Sequence, residues 1–270
     1  LLCAKGWRYF AAVQWVQEGK MLRYVLASVM SLGLLGAPLH AFTMPKDETA
    51  AGFISSNVVA TFYHELGHAL IDVLDLPVLG REEDAADALS ALLIHQIWEE
   101  DSANAIIHDT ANSFLIYNSL AEAEGYDTPF WDEHSLDLQR YYNLICLFYG
   151  ADPERRAYIV TDYELPPERA ERCPEEFAQT EASWDGLVEN ATGGQYGLVM
   201  EGDLADPLIA ILADEVKSMN DLYALPQKVT VAVEDCGEAN AFYDPSTLRV
   251  TICTEFAADL HNLYTSHLAE

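Results

Sequence analysis

Between residues 51 and 189 the apolar positions return every three or four residues, the spacing that lines one face of a helix against a core. Val58, Val59, Phe62, Leu66, Leu70 and Ile71 mark a first helix. Ala88, Leu89, Leu92, Leu93 and Ile97 mark a second, after Leu76-Pro77, which is expected to end the first. The same spacing predicts helices over 103–124 and 133–149 and shorter ones over 153–159 and 174–188, with a loop at 125–132. After a linker at 190–194 the period changes to two. Short β-rich runs stand at 195–200, 228–233, 239–243 and 248–253, with a helix over 207–222 and a terminal one after Thr254. The pattern predicts an α+β fold: a mainly helical region, 42–190, and an α/β region, 195–270, in one domain.

The first 41 residues separate from this pattern. Met21-Leu22-Arg23, the apolar stretch from Tyr24 to Ala37 and the end Leu39-His40-Ala41 read as a secretory signal whose apolar core is too short to span a bilayer. Residues 1–20 lack an initiator Met and are expected to be a leader extension, with Met21 the start.

The 270 residues carry 44 acidic and 14 basic side chains, a net charge of −30. That charge argues against nucleic acid or an anionic membrane surface as a partner, and for a highly soluble exported protein without stable membrane insertion. Once Cys3 is removed with the leader, Cys146, Cys173, Cys236 and Cys253 remain. An even count in an exported chain predicts two disulfides, and sequence proximity favours Cys146 with Cys173 and Cys236 with Cys253 among three connectivities.

The first helix carries His64-Glu65-Leu66-Gly67-His68. This H-E-x-x-H places two imidazoles one turn apart with a carboxylate between them, half a zinc site plus a general base. Gly67 is small enough for close packing. A third ligand is expected from Glu83 at the start of the second helix, because Asp87 shares its face one turn on and can orient a ligating His through its far nitrogen. Glu82 has Ala86 at that position and lacks such a partner. Asp72, about 12 Å along the helix from His64, is too distant to share its ion. Ile71 and Leu74 stand where a metzincin has its Gly and third His.

Near the end of the chain, 236–245 and 248–253 flank a Pro-containing turn and read as a hairpin. An exposed edge strand beside a zinc site can hold an extended peptide through its backbone.

Four stretches resemble a bacterial family of unknown function called "putative metallopeptidase": HELGHALIDVLDLPVLGREEDAAD (64–87), DEHSLDLQRYYNLICLFYG (132–150), LPPERAERCPEEF (165–177) and CGEANAFYDP with VTICTEF (236–256). The resemblance implies a gluzincin-like zinc peptidase of zincin-like fold, mainly helical, with a small C-terminal β-sheet or hairpin at the edge of the active-site cleft. Asn240, Ala241 and Phe242 also resemble the Asn-Ala-Phe edge strand of several zincin peptidases. Here that strand follows the metal helices instead of preceding them, a permuted order.

The expected function is therefore an exported, periplasmic or secreted, zinc-dependent metallopeptidase acting on peptides or proteins. His64, His68 and Glu83 would hold Zn²⁺, Glu65 would be the general base and Asp87 the orienting carboxylate. An oxyanion donor is expected from outside the motif helices, first His134 and second Tyr243. Arg140, Tyr141 and Asn143 are expected to build the helix interior and its polar links. The rival readings are a zinc-stabilised binding protein without turnover and a hydrolase of a non-peptide amide. Glu65 weighs against the first, since a structural zinc needs no base.

Overall fold

The first helix, α1 (Glu48–Val73), is buried on most of its circumference, with Phe53, Ile54, Val58, Phe62, Tyr63, Leu66 and Leu70 all below 3% exposed. A helix apolar on nearly every side has to be a central element, and α1 packs against helices and strands from the rest of the chain. Asp47 caps its start by accepting hydrogen bonds from the backbone N–H groups of Thr49 and Ala50. The computed structural model describes residues 42–125, 129–191 and 193–269; the expected leader and signal segments, 1–20 and 21–41, lie outside the described residues.

Helix α1 ends at Val73, three residues earlier than the Leu76-Pro77 signal suggests, because Asp75 turns the chain at φ 53° and Leu76 N–H donates back to Ile71 C=O. The chain returns as α2 (Glu82–Ile97). It lies antiparallel to α1, since His68 meets Glu82 while His64 meets Asp87. Gly67 sets their closeness: a Cβ built there would lie 2.9 Å from Ala86 Cα.

Helices α3 (Glu100–Glu124), α4 (Asp137–Ala151) and α7 (Cys173–Ala191) complete the helical layer, with the short α5 (Ile159–Asp162) and α6 (Pro167–Ala170) between the last two. The helix expected over 133–149 starts four residues late. Residues 132–136 are held as a loop instead, by Asp132 accepting from His134 N–H and by Ser135 bonded to both Arg81 and Asp84. The helix expected over 153–159 is mostly turn. Its Arg156 side chain runs into the core, 1% exposed, and donates to Phe148 C=O and to both oxygens of Glu100. A disulfide joins Cys146 on α4 to Cys173 at the start of α7.

The remaining elements are β1 (Leu198–Met200), α8 (Pro207–Leu222), β2 (Val229–Glu234), β3 (Ala241–Asp244), β4 (Arg249–Cys253) and α9 (Thr254–His267). Strand order is β1-β2-β4-β3, with the first two pairings parallel and β3–β4 antiparallel. The expected hairpin is β3–β4, closed by Asp244 accepting from Ser246 and Thr247 and by a second disulfide, Cys236–Cys253. The fold is mainly helical α+β with a small four-stranded sheet. Among the described residues, no helix is long and apolar enough to cross a membrane.

Candidate metal centre

Because His64 and His68 are four apart on α1, their rings project from one face, and the antiparallel α2 brings its first turn up to meet them. Glu83 Oε2 lies 3.1 Å from His64 Nε2 and 3.2 Å from His68 Nε2, and the two nitrogens are 3.2 Å apart. The far nitrogens are also held. His64 Nδ1 is 2.7 Å from Asp87 Oδ1, and His68 Nδ1 is 2.8 Å from Glu82 Oε1. Asp87 is in turn gripped by Arg140, whose Nε and Nη2 donate to its two oxygens at 2.8 Å, while the guanidinium lies 4.5 Å over the Phe114 ring. This places Arg140 closer to the chemistry than the helix-interior role expected for it.

Two imidazole nitrogens and a carboxylate oxygen turned toward one point, each ring fixed by a carboxylate behind it, form a donor set that fits Zn²⁺. His134 reaches the same place from the loop before α4, its Nε2 3.0 Å from Glu83 Oε2 and its ring stacked 6.2 Å from that of His64. It is half-exposed and lies outside the mutually close set of His64, His68 and Glu83.

Charge is shared across this cluster. Burial disfavours the imidazolium of His64, yet its hydrogen bonds to Asp87 and Glu83 prevail and push it up to about 10. His68 is raised in the same way, burial being outweighed by Glu83 and Glu82. Glu83 resists burial through hydrogen bonds from His134, His64 and His68 and sits well below the usual carboxylate range; Asp87 does so chiefly through Arg140. The atoms that share protons here are the ones a cation would displace them from.

Glu65 is different. Its side chain is 7% exposed, and among the described residues no hydrogen-bond partner engages its carboxylate, so burial pushes it up. It faces a cavity of about 580 Å³ that His64, Asp87, His134 and Arg140 also line.

The edge strand borders that cavity through Ala239, Asn240 and Ala241. Cys253 N–H donates to Asn240 C=O, so Asn240, Phe242 and Asp244 turn their backbone groups toward β4, and Ala241 and Tyr243 turn theirs to the free edge. The outward N–H of Ala241 is met by the Asn240 side-chain oxygen at 2.9 Å. Phe242 is partly exposed. Tyr243, the second expected oxyanion donor, is not brought to the ligands: its hydroxyl donates to Asp72 Oδ2 at 2.7 Å, one turn beyond His68, and it does not line the cavity.

Residues 39–188 and 207–270 match a family described as "Putative metallopeptidase". The chain belongs to this metallopeptidase family. No curated protein and no solved structure matches it. The family match takes in every residue of the cluster, from His64 on α1 to Arg140 on α4, as well as the edge strand and α9.

The sequence pattern of this family member passes over Glu82 and under-reads Arg140. Glu82 has no acid one turn on along its own helix, whereas its contact runs across to His68 on α1. The one available signal is its place beside Glu83 in the first turn of the second helix, the turn expected to meet the two imidazoles. Arg140 carries a weaker signal, as the one Lys or Arg in the stretch 132–150, where Asp132, Glu133 and Asp137 precede it.

Proposed function

We propose that the chain is an exported zinc-dependent peptidase. The observation that carries this reading is the convergence of His64 Nε2, His68 Nε2 and Glu83 Oε2 beside the buried carboxylate of Glu65, at the rim of a cavity bordered by a strand edge. Zn²⁺, when bound, supplies a Lewis acid for the scissile carbonyl and lowers the pKa of water.

The chain's own groups do the rest. Asp87 and Glu82 hold the two imidazoles by their far nitrogens, so the ligating nitrogens stay turned to one point. Glu65 takes the proton of the attacking water and passes it to the leaving amine; its raised affinity for protons suits both transfers. His134, whose Nε2 sits at Glu83, would donate to the developing oxyanion. The outward N–H and C=O of Ala241 pair with an extended peptide once the Asn240 side chain yields its place. Two disulfides support a secreted or periplasmic setting.

The deciding experiment compares zinc content and peptide turnover of the native protein with Glu65→Gln. The variant is expected to keep one zinc per chain and lose nearly all hydrolysis, because an amide cannot take up the proton. Undiminished turnover in Glu65→Gln would remove the mechanism.

A further inference from the structure

Tyr243 lies two residues along β3 from Ala241, so both side chains leave the same face of the strand, and the contact with Asp72 shows that this face is turned to α1. The Tyr243 hydroxyl donates to Asp72 Oδ2 at 2.7 Å. Among the described residues this is the one side-chain hydrogen bond that ties β3 to an element outside its hairpin, since Asp244 bonds Ser246 and Thr247 within the turn. Asp72 stands in the last turn of α1, where the free carbonyls of a helix disfavour a negative charge, and that turn holds no basic residue. The Tyr243 hydroxyl is the donor this carboxylate meets there. Burial and the hydrogen bond to Asp72 hold the phenol above its ordinary range, so it stays protonated and able to donate.

The bond also sets a register. His64, His68 and Asp72 follow one another at four-residue steps, about 6 Å apart along the axis of α1. Ala241 lies about 7 Å back from Tyr243 along the strand. Ala239, Asn240 and Ala241 border the cavity that His64 and Glu65 line, so β3 runs beside α1 in the same sense. Fixing Tyr243 at the level of Asp72 therefore leaves the outward N–H and C=O of Ala241 at the level of His68.

We propose that Tyr243 and Asp72 are a positioning pair that holds the peptide-binding edge of β3 in register with the metal ligands. The proposal rests on the zinc-peptidase reading above. The Tyr243 side chain does not line the cavity, so it acts through the backbone that carries it. Without the bond, β3 keeps its ladder to β4 but is free to shift against α1, and a smaller fraction of molecules presents Ala241 beside the ligands. A smaller competent fraction weakens the apparent affinity for a peptide in proportion and leaves the saturated rate alone.

The test is a cycle of variants read by peptide kinetics, zinc affinity and amide hydrogen exchange. Tyr243→Phe, which keeps the ring, is expected to raise KM at least about fivefold, with kcat within about twofold of native and zinc affinity unchanged. Asp72→Ala should do the same, and the double variant should lose no more than either single one, because each removes the same bond. Asp72→Asn, whose amide oxygen still accepts, should keep KM within about twofold of native. Exchange at the Phe242 amide, which faces β4, should quicken several-fold in Tyr243→Phe and Asp72→Ala and stay native in Asp72→Asn. Asp72 is exposed, so its two variants carry the test if Tyr243→Phe does not fold. A native KM in Tyr243→Phe or Asp72→Ala, additive losses in the double variant, or a fall in kcat or zinc affinity at native KM overturns the pair. Native protein that cleaves peptides while KM stays flat across the cycle keeps the peptidase reading and removes the pair. Native protein that cleaves none removes the peptidase reading, and exchange at Phe242 then decides the pair, unchanged exchange in Tyr243→Phe and Asp72→Ala overturning it.

Discussion

His64 and His68 each rest against a carboxylate of α2, Asp87 and Glu82 respectively. A histidine whose far nitrogen donates to a carboxylate is a better and better-aimed ligand, so Glu82→Gln should weaken zinc binding about tenfold while Glu83→Ala abolishes the site. Competition with a fluorescent chelator measures both; equal affinity in Glu82→Gln and native protein would show that His68 needs no such support. The H-E-x-x-H spacing and the Glu83–Asp87 pair were legible because both are written along single helices. The Glu82–His68 contact was not, because it joins two helices. Arg156 is a second case: a charged residue in a polar turn gives no local sign of being 1% exposed, since its partner Glu100 stands 56 positions away. The Arg156 hydrogen bonds hold the Glu100 carboxyl below its ordinary range. Its folded value thus lies below its unfolded one, so the stability it contributes is full above the unfolded value and lost as pH falls through the folded one. Glu100→Gln should cost roughly 3 kcal/mol at neutral pH. That difference from native protein should shrink in denaturant titrations repeated below about pH 4.

For the elements, closeness between α1 and α2 is the controlling quantity. Gly67→Ala places a methyl group where Ala86 Cα already stands 2.9 Å away, so the helices must part at the level of Glu83. A loss of about 1–3 kcal/mol is expected in chemical denaturation, together with weaker zinc binding. Unchanged values for both would mean that the pair can slide without disturbing the ligands. In the hairpin, backbone direction separates two functions that share a strand. Ala241→Pro removes an N–H facing the free edge and should impair peptide turnover with the β3–β4 ladder intact, whereas Phe242→Pro removes one facing β4 and should destabilise the fold. Similar losses of stability in both would remove the distinction. Helix periods and the hairpin turn made most elements legible before the structure. The parallel pairings β1–β2 and β2–β4 left no such mark, because parallel partners are joined by long crossovers and no turn residue announces them.

At the scale of the whole molecule, the metal cluster comes from a span of 24 residues, 64–87, while the strand edge that borders it comes more than 150 residues later. Residues that are close along the chain can meet as soon as they leave the ribosome, but β3 pairs with β4, and both are locked by a disulfide that needs Cys253. On the proposed reading, an unfinished chain can hold its metal without a place to lay a peptide. On that reading the late position of the edge strand acts as a timer: the protein would gain the means to cut only after its last elements had been made, exported and oxidised, by which time it would have left the compartment whose proteins it would otherwise meet first.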